Sequence, residues 1–262
     1  MARSKEWAVR CMHEASLHQN NAFITLTYND QHIPTDGGLR KEDFQKFMKR
    51  LRSRIYYELP GHKIKYYMCG EYGTSPDGGL GRPHFHAIIF GFDFGDKKLW
   101  EEKGKNRYYR SSLLESLWTY GYSNITDVNY RTAAYVARYV MKKITGDLAE
   151  SHYQKVDPET GELYRVAPEY NSMSLNPAIA YEWYQRFSAD VFPHDYVIVD
   201  GRKVKTPSYY LKQLEKQNPE QFDRVKKRRK EYAIQNRQDD ATLQRREICA
   251  RSNLNRTRRP LE

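Results

Sequence analysis

The sequence predicts an α+β fold, a central and mainly antiparallel sheet with helices packed on one face of it. Three observations predict it. Runs of β-branched and aromatic residues at 21–30, 63–73 and 81–91 alternate with segments of helical periodicity. Two of those runs are joined by a Gly-rich stretch, "TSPDGGLG", short enough for an antiparallel hairpin. The order that results, strand–helix–strand–strand–helix–strand–helix, lays the helices against the sheet.

"NAFITLTYND" (21–30) reads as the first strand, ended by Asn29–Asp30 and a loop with Pro34 and Gly37–Gly38. Phe44, Phe47, Met48, Leu51 and Ile55 then recur at helical spacing in "KEDFQKFMKRLRSRIYYEL". "KIKYYMCGEYG" (63–73) is the second strand and "GRPHFHAIIFG" (81–91) the third. Ser112 and Glu115 have capping-box spacing at the start of a helix over 111–118. "GYSNITDVNY" is a fourth strand, and "RTAAYVARYVMKKI" (131–144) a helix by its Ala content and spacing. Residues 147–175 are polar and irregular, and Asn176–Pro177 supplies an N-cap and first-turn proline for a helix through Phe187. After Gly201 the chain is mostly helical, with Pro219 in another first turn. Two parts are expected: residues 1–200, and a basic, mostly helical extension over 201–262.

The chain has 262 residues, 39% hydrophobic and 29% charged, enough to bury a core. No run of about 18 apolar residues predicts a membrane span, and the N-terminus has no secretory h-region. Cys11, Cys69 and Cys249 are scattered without CxxC spacing, which argues against a disulfide framework or a cysteine zinc site. A reducing cytoplasm is the expected setting. Of the net charge of +11, residues 201–262 carry +10, from 18 Lys/Arg against 8 Asp/Glu. "RVKKRRK" (224–230) and "RSNLNRTRRP" (251–260) are the densest blocks and suit a polyanion, since each phosphate neutralised releases counterions. A solvated helix face or tail is the alternative for such runs.

On a strand His84, His86, Ile88 and Phe90 share one face, with Phe85, Ala87 and Ile89 on the other. Two adjacent imidazoles can hold one divalent ion. Glu71, on the neighbouring strand, is the candidate third ligand; a glutamate that merely closes its strand is the competing role. Tyr135 and Tyr139, four apart, project from one helix face, and Lys142 lies two turns after Tyr135 on the same side. Asp30 reads as a turn former and Thr25 and Thr27 as β-formers, His32 and His62 are given no role, and Trp100 and Trp118 are placed in a core or interface.

In order, "FITLTYND", "GRPHFHAIIFG" and "YVARYVMKK" resemble the three motifs of rolling-circle replication initiators, the HUH-type nucleases. The likeness is nearest to those of small single-stranded DNA bacteriophages (microviruses, gokushoviruses) and covers roughly residues 20–145. It implies a ferredoxin- or RRM-like fold and an enzyme, active in the cytoplasm of a bacterial host, that nicks single-stranded DNA at a replication origin. His84, His86 and Glu71 would hold Mg²⁺ or Mn²⁺, Tyr135 and Tyr139 would be the nucleophiles, and Lys142, with Arg138 and Lys143, would meet phosphate charge. The chemistry agrees: the phenol's ordinary pKa of about 10 keeps a phosphotyrosine link reactive toward a 3′-hydroxyl. With no GxxxxGK[ST] in the chain, a host helicase is the expected partner. The rival readings are a relaxase- or transposase-type nuclease of the same class and a non-catalytic nucleic-acid-binding protein.

Overall fold

A computed structural model describes residues 2–75, 80–104, 106–138, 144, 146–157, 160–192 and 194–256. It divides into two compact units, one ending at Ser208 and one beginning at Tyr209. Among the described residues no helix is long and apolar enough to cross a membrane.

The first unit is built on a seven-stranded sheet. Helix α1 (Ala2–Ala15) leads into β1 (Asn21–Tyr28), α2 (Lys41–Glu58), β2 (Lys65–Thr74), β3 (Leu80–Phe90), β4 (Lys98–Lys103), β5 (Asn106–Arg110), α3 (Ser112–Leu117), β6 (Gly121–Thr126) and α4 (Tyr130–Arg138). There follow α5 (Leu148–Tyr153), β7 (Gln154–Val156), β8 (Leu163–Arg165), β9 (Tyr170–Met173), α6 (Tyr181–Val191), β10 (Tyr196–Val199) and β11 (Arg202–Lys205). The strand order is β4-β5-β6-β1-β3-β2-β9, and each of its described pairings is antiparallel. The α+β class and the antiparallel sheet are those expected, and β2 and β3 pair as the hairpin predicted.

The helices, however, cover both faces rather than one. Phe44, Phe47, Met48, Leu51 and Ile55 of α2 are buried with Ile24, Leu26, Met68, Phe85, Ala87 and Ile89 in one core. On the opposite face α1 and α4 pack together. The Trp7 ring stacks 4.9 Å from Tyr67, and Tyr135 lies edge-on to His86 at 5.0 Å. The reason is visible in β3: Ala87, Ile88, Ile89 and Phe90 are all fully buried, an apolar run without alternation that needs cover on both sides.

Three boundaries differ for physical reasons. Ser111, not Ser112, caps α3, its hydroxyl accepting from the Leu114 N–H at 3.0 Å, while Glu115 pairs with Arg110 at 2.8 Å. Asn176–Pro177 lies in a turn, and the helix begins at Tyr181 after Ala180 in the left-handed region at φ 63°. Side chains of α1 hold that start: Glu14 accepts the Ala180 N–H at 2.6 Å, and Arg10 donates to the Ile179 carbonyl at 2.8 Å. The fourth strand stops at Thr126, and Asn129 takes its place at the head of α4, accepting from Thr132 at 3.0 Å. Helix α1 and the β4–β5 hairpin, absent from the expectation, complete the unit, and the polar stretch 147–175 contributes α5, a small hairpin and the edge strand β9.

The second unit holds α7 from Tyr209 onward (Ser208–Gln217), α8 (Pro219–Gln235) and α9 (Asp240–Arg256). Asn218 caps α8 by accepting from Gln221 at 3.0 Å, with Pro219 in its first turn, as the sequence indicates. Lys226, Lys227, Arg228 and Lys230 stand exposed along it.

Candidate metal centre and active site

Strand pairing assembles the candidate site. In the β2–β3 register Glu71 lies opposite His84, and Cys69 opposite His86. In the β1–β3 register Thr27 lies opposite His84, and Thr25 opposite His86. Alternation therefore puts Glu71, His84, His86 and Thr25 on the face covered by α4.

Their polar atoms converge. Glu71 Oε1 is 3.0 Å from His84 Nε2 and 2.8 Å from His86 Nε2. One donor atom from each of the three residues falls within 4.8 Å of the others, the spacing of a group that can hold a metal ion. Glu71 is 2% exposed and so is no solvated strand end. Burial raises its carboxyl, but the two histidines outweigh that and hold it at about 2. A carboxylate and two imidazole nitrogens this close need positive charge among them, from protons on the rings or from a cation.

The outer ring nitrogens are also held. His84 Nδ1 donates to the Arg82 carbonyl at 3.0 Å, which directs the lone pair of a neutral ring through Nε2 toward Glu71. His86 Nδ1 lies 3.0 Å from the Thr25 hydroxyl. In the sequence Thr25 reads only as a β-former; its role appears once the register sets it beside His86. Arg82 is fixed in turn by the Tyr28 carbonyl at 2.9 Å and by Asp30, so Asp30 does more than form a turn.

Helix α4 brings Tyr135 over this cluster. Its hydroxyl donates to Glu71 Oε1 at 3.2 Å and lies 3.5 Å from His86 Nε2. The Arg138 guanidinium sits 6.0 Å from the Tyr135 ring centroid. Tyr139, Lys142 and Lys143 lie outside the described residues. Of the residues considered for other roles, Trp118 is a core residue, 1% exposed, and Trp100 is 59% exposed.

Two His nitrogens and one carboxylate oxygen form a donor set that fits a divalent cation and leaves coordination positions open. The model of the replication-associated protein ORF2 family matches residues 21–144. Replication-associated protein VP4 of Bdellovibrio phage phiMH2K is 32% identical over 249 residues, 91% of this chain and 73% of that protein. The chain belongs to this family of phage replication-associated proteins. Replication-associated protein ORF2 of Spiroplasma virus 4 is 28% identical over 244 residues, covering 88% of the chain and 70% of that relative. Replication-associated protein ORF4 of Chlamydia phage 1 is 37% identical over 146 residues, 54% of the chain and 35% of that relative. No solved structure matches the chain. The span matched to the family contains Glu71, His84, His86 and Tyr135.

Proposed function

We propose that this replication-associated protein is a rolling-circle initiator of the HUH type, a metal-dependent nickase and strand transferase acting on single-stranded origin DNA. The observation that carries the reading is the Tyr135 hydroxyl lying 3.2 Å from Glu71 and 3.5 Å from His86, a nucleophile beside a three-donor cluster. A Mg²⁺ or Mn²⁺ ion held by Glu71, His84 and His86 would polarise a non-bridging oxygen of the scissile phosphate.

The chain's own residues do the rest. Helix α4 presents the Tyr135 oxygen to the phosphorus, and its proton faces Glu71 Oε1. The phenol oxygen forms a new bond to phosphorus, the bond from phosphorus to the 3′-oxygen breaks, and the departing oxygen leaves as a 3′-hydroxyl that takes up a proton. One phosphodiester is exchanged for another, so a later attack by a 3′-hydroxyl can reseal the strand and free the tyrosine. Thr25 and the Arg82 carbonyl keep the two imidazoles oriented. Arg138, with Lys142 and Lys143, supplies positive charge for the phosphate. Tyr139 acts as the second nucleophile of the transfer, and the exposed basic face of α8 adds affinity for DNA.

Labelled origin-strand DNA incubated with Mn²⁺ and resolved under denaturing conditions tests this. We expect a protein–DNA adduct whose phosphopeptide contains Tyr135 or Tyr139, reduced in each single Tyr→Phe variant and absent from the double variant. An adduct on another tyrosine, or hydrolysed ends with no adduct, would overturn it.

A further inference from the structure

The sheet face opposite His84 and His86 carries a second polar feature. A cleft of about 330 Å³ opens between α2 and the β2–β9 edge, lined among others by Lys41, Lys49, Arg52, Tyr66, Tyr170 and Ser172. Lys41, Lys49 and Arg52 recur at i, i+8 and i+11, which places them along one side of α2. Other cations on or beside this helix are neutralised: Arg40 pairs with Asp36, Lys46 with Asp43 and Arg54 with Glu58. Among the described residues the three in the cleft have no carboxylate in ion-pair range. Lys41 instead lies 5.1 Å from the Tyr170 ring centroid, and Arg52 5.6 Å from that of Tyr66.

The wall holds a hydroxyl with no hydrogen-bond partner. Tyr170 Oη is buried and bonded to nothing among the described residues, whereas its neighbour Tyr66 Oη sits 3.1 Å from Ser172 Oγ. Burial pushes the Tyr170 phenol above its usual pKa, so it stays protonated and able to donate. Its ring is seated on Gly70, where a Cβ would come within 2.8 Å of Tyr170 Cε1. A ligand for this cleft must be anionic and accept hydrogen bonds. No carboxylate lines it, which disfavours a metal ion.

We propose that the α2–β9 cleft is a second DNA contact that takes a backbone phosphate of single-stranded DNA, an inference resting on the reading of this protein as acting on DNA strands. Strand β9 is the free edge of the sheet. Tyr170 faces the cleft, and the next residue, Asn171, reaches the other way to donate to the Val136 carbonyl of α4 at 3.4 Å. A single strand passing round that edge contacts both the cleft and the helix that carries Tyr135.

The test uses the full chain and a fluorescent 30-residue oligo-dT, with binding read by anisotropy across a salt series and contacts by ultraviolet cross-linking with peptide mapping. Tyr170→Phe removes only a hydroxyl that bonds nothing in the protein, so thermal stability should hold while affinity falls severalfold. Lys49→Gln/Arg52→Gln should weaken binding about tenfold and lower the log–log salt slope by about 1.4, roughly 0.7 per neutralised phosphate. Cross-links should map to peptides containing Tyr66 or Tyr170. Unchanged affinity and slope in both variants, or cross-links confined to other peptides, would overturn the cleft. Failure of the nickase reading shows separately, as absence of the tyrosine adduct from wild-type protein, because the cleft variants should still form it at saturating DNA.

Discussion

At the residue scale the candidate site depends on side chains that touch no substrate. Thr25 shows this best: its hydroxyl holds His86 Nδ1 at 3.0 Å and so orients Nε2 toward Glu71. Thr25→Val keeps the β-branched shape on β1 and removes that oxygen. On the proposed reading it should weaken Mn²⁺ binding by about 10- to 100-fold while leaving the circular-dichroism spectrum unchanged. A manganese titration followed by electron paramagnetic resonance measures it directly. His84→Ala or His86→Ala should go further and abolish adduct formation with the fold retained. The histidines and Glu71 were legible from strand alternation and the hairpin. Thr25 was not, because nothing local distinguishes a threonine that supports a ring from one that favours a strand.

At the element scale the junction of β1 and β6 is the tightest point of the sheet. Gly121 opens β6 at φ 153°, opposite Tyr28, and a Cβ there would lie 2.3 Å from the Asn29 nitrogen and 2.4 Å from the Thr27 carbonyl. Both are backbone atoms that cannot rotate away. Gly121→Ala should cost about 3 kcal/mol or more, seen as a lowered urea midpoint. Because Thr27 pairs with His84 on β3, metal binding should fall with it. Helix α8 makes a different prediction. Its exposed cations Lys226, Lys227, Arg228 and Lys230 are surface groups, so replacing all four with Gln should leave stability within about 0.5 kcal/mol. The salt dependence of oligonucleotide binding should flatten by roughly 0.7 for each phosphate that is no longer neutralised. The amphipathic stripe of α2 and the cap of α8 could be read in advance, since their signals are local. The start of α6 could not, because Glu14 and Arg10, more than 160 residues earlier in the chain, fix residues 179–180.

Across the first unit, α1 joins the segment at residues 179–180 and α6 on the sheet face that also carries the candidate site. His13 of α1 stacks on Trp183 of α6 at 3.6 Å and is 4% exposed. Burial lowers its pKa from 6.5 to about 4. The neutral ring is thus favoured in the folded state, and on acidification the unfolded chain takes up the proton first. Stability from this group is complete above about pH 7, declines as pH falls from 6.5 toward 4, and is level below that. The loss should approach 3 kcal/mol, at about 1.36 kcal/mol per pH unit. Urea midpoints measured between pH 7 and pH 4 for wild type and His13→Phe give the test. The variant keeps an aromatic ring against Trp183, so its profile should be flatter across that window.

What the sequence determined by itself is whatever has a short period. A strand's two-residue alternation placed His84 and His86 on one face, and helical spacing built the buried stripe of α2. The unbroken apolar run from Ala87 to Phe90 already required cover on both faces, although the strand–helix order alone suggested one. Tertiary structure decided what depends on partners distant in the chain. Pairing set Glu71 opposite His84 across a hairpin with a register shift between Tyr72 and Thr74, and put Thr25 against His86, 61 residues away. Such a register is fixed by the packing of whole strands and their helices, and a one-residue slip would turn every one of these side chains to the other face.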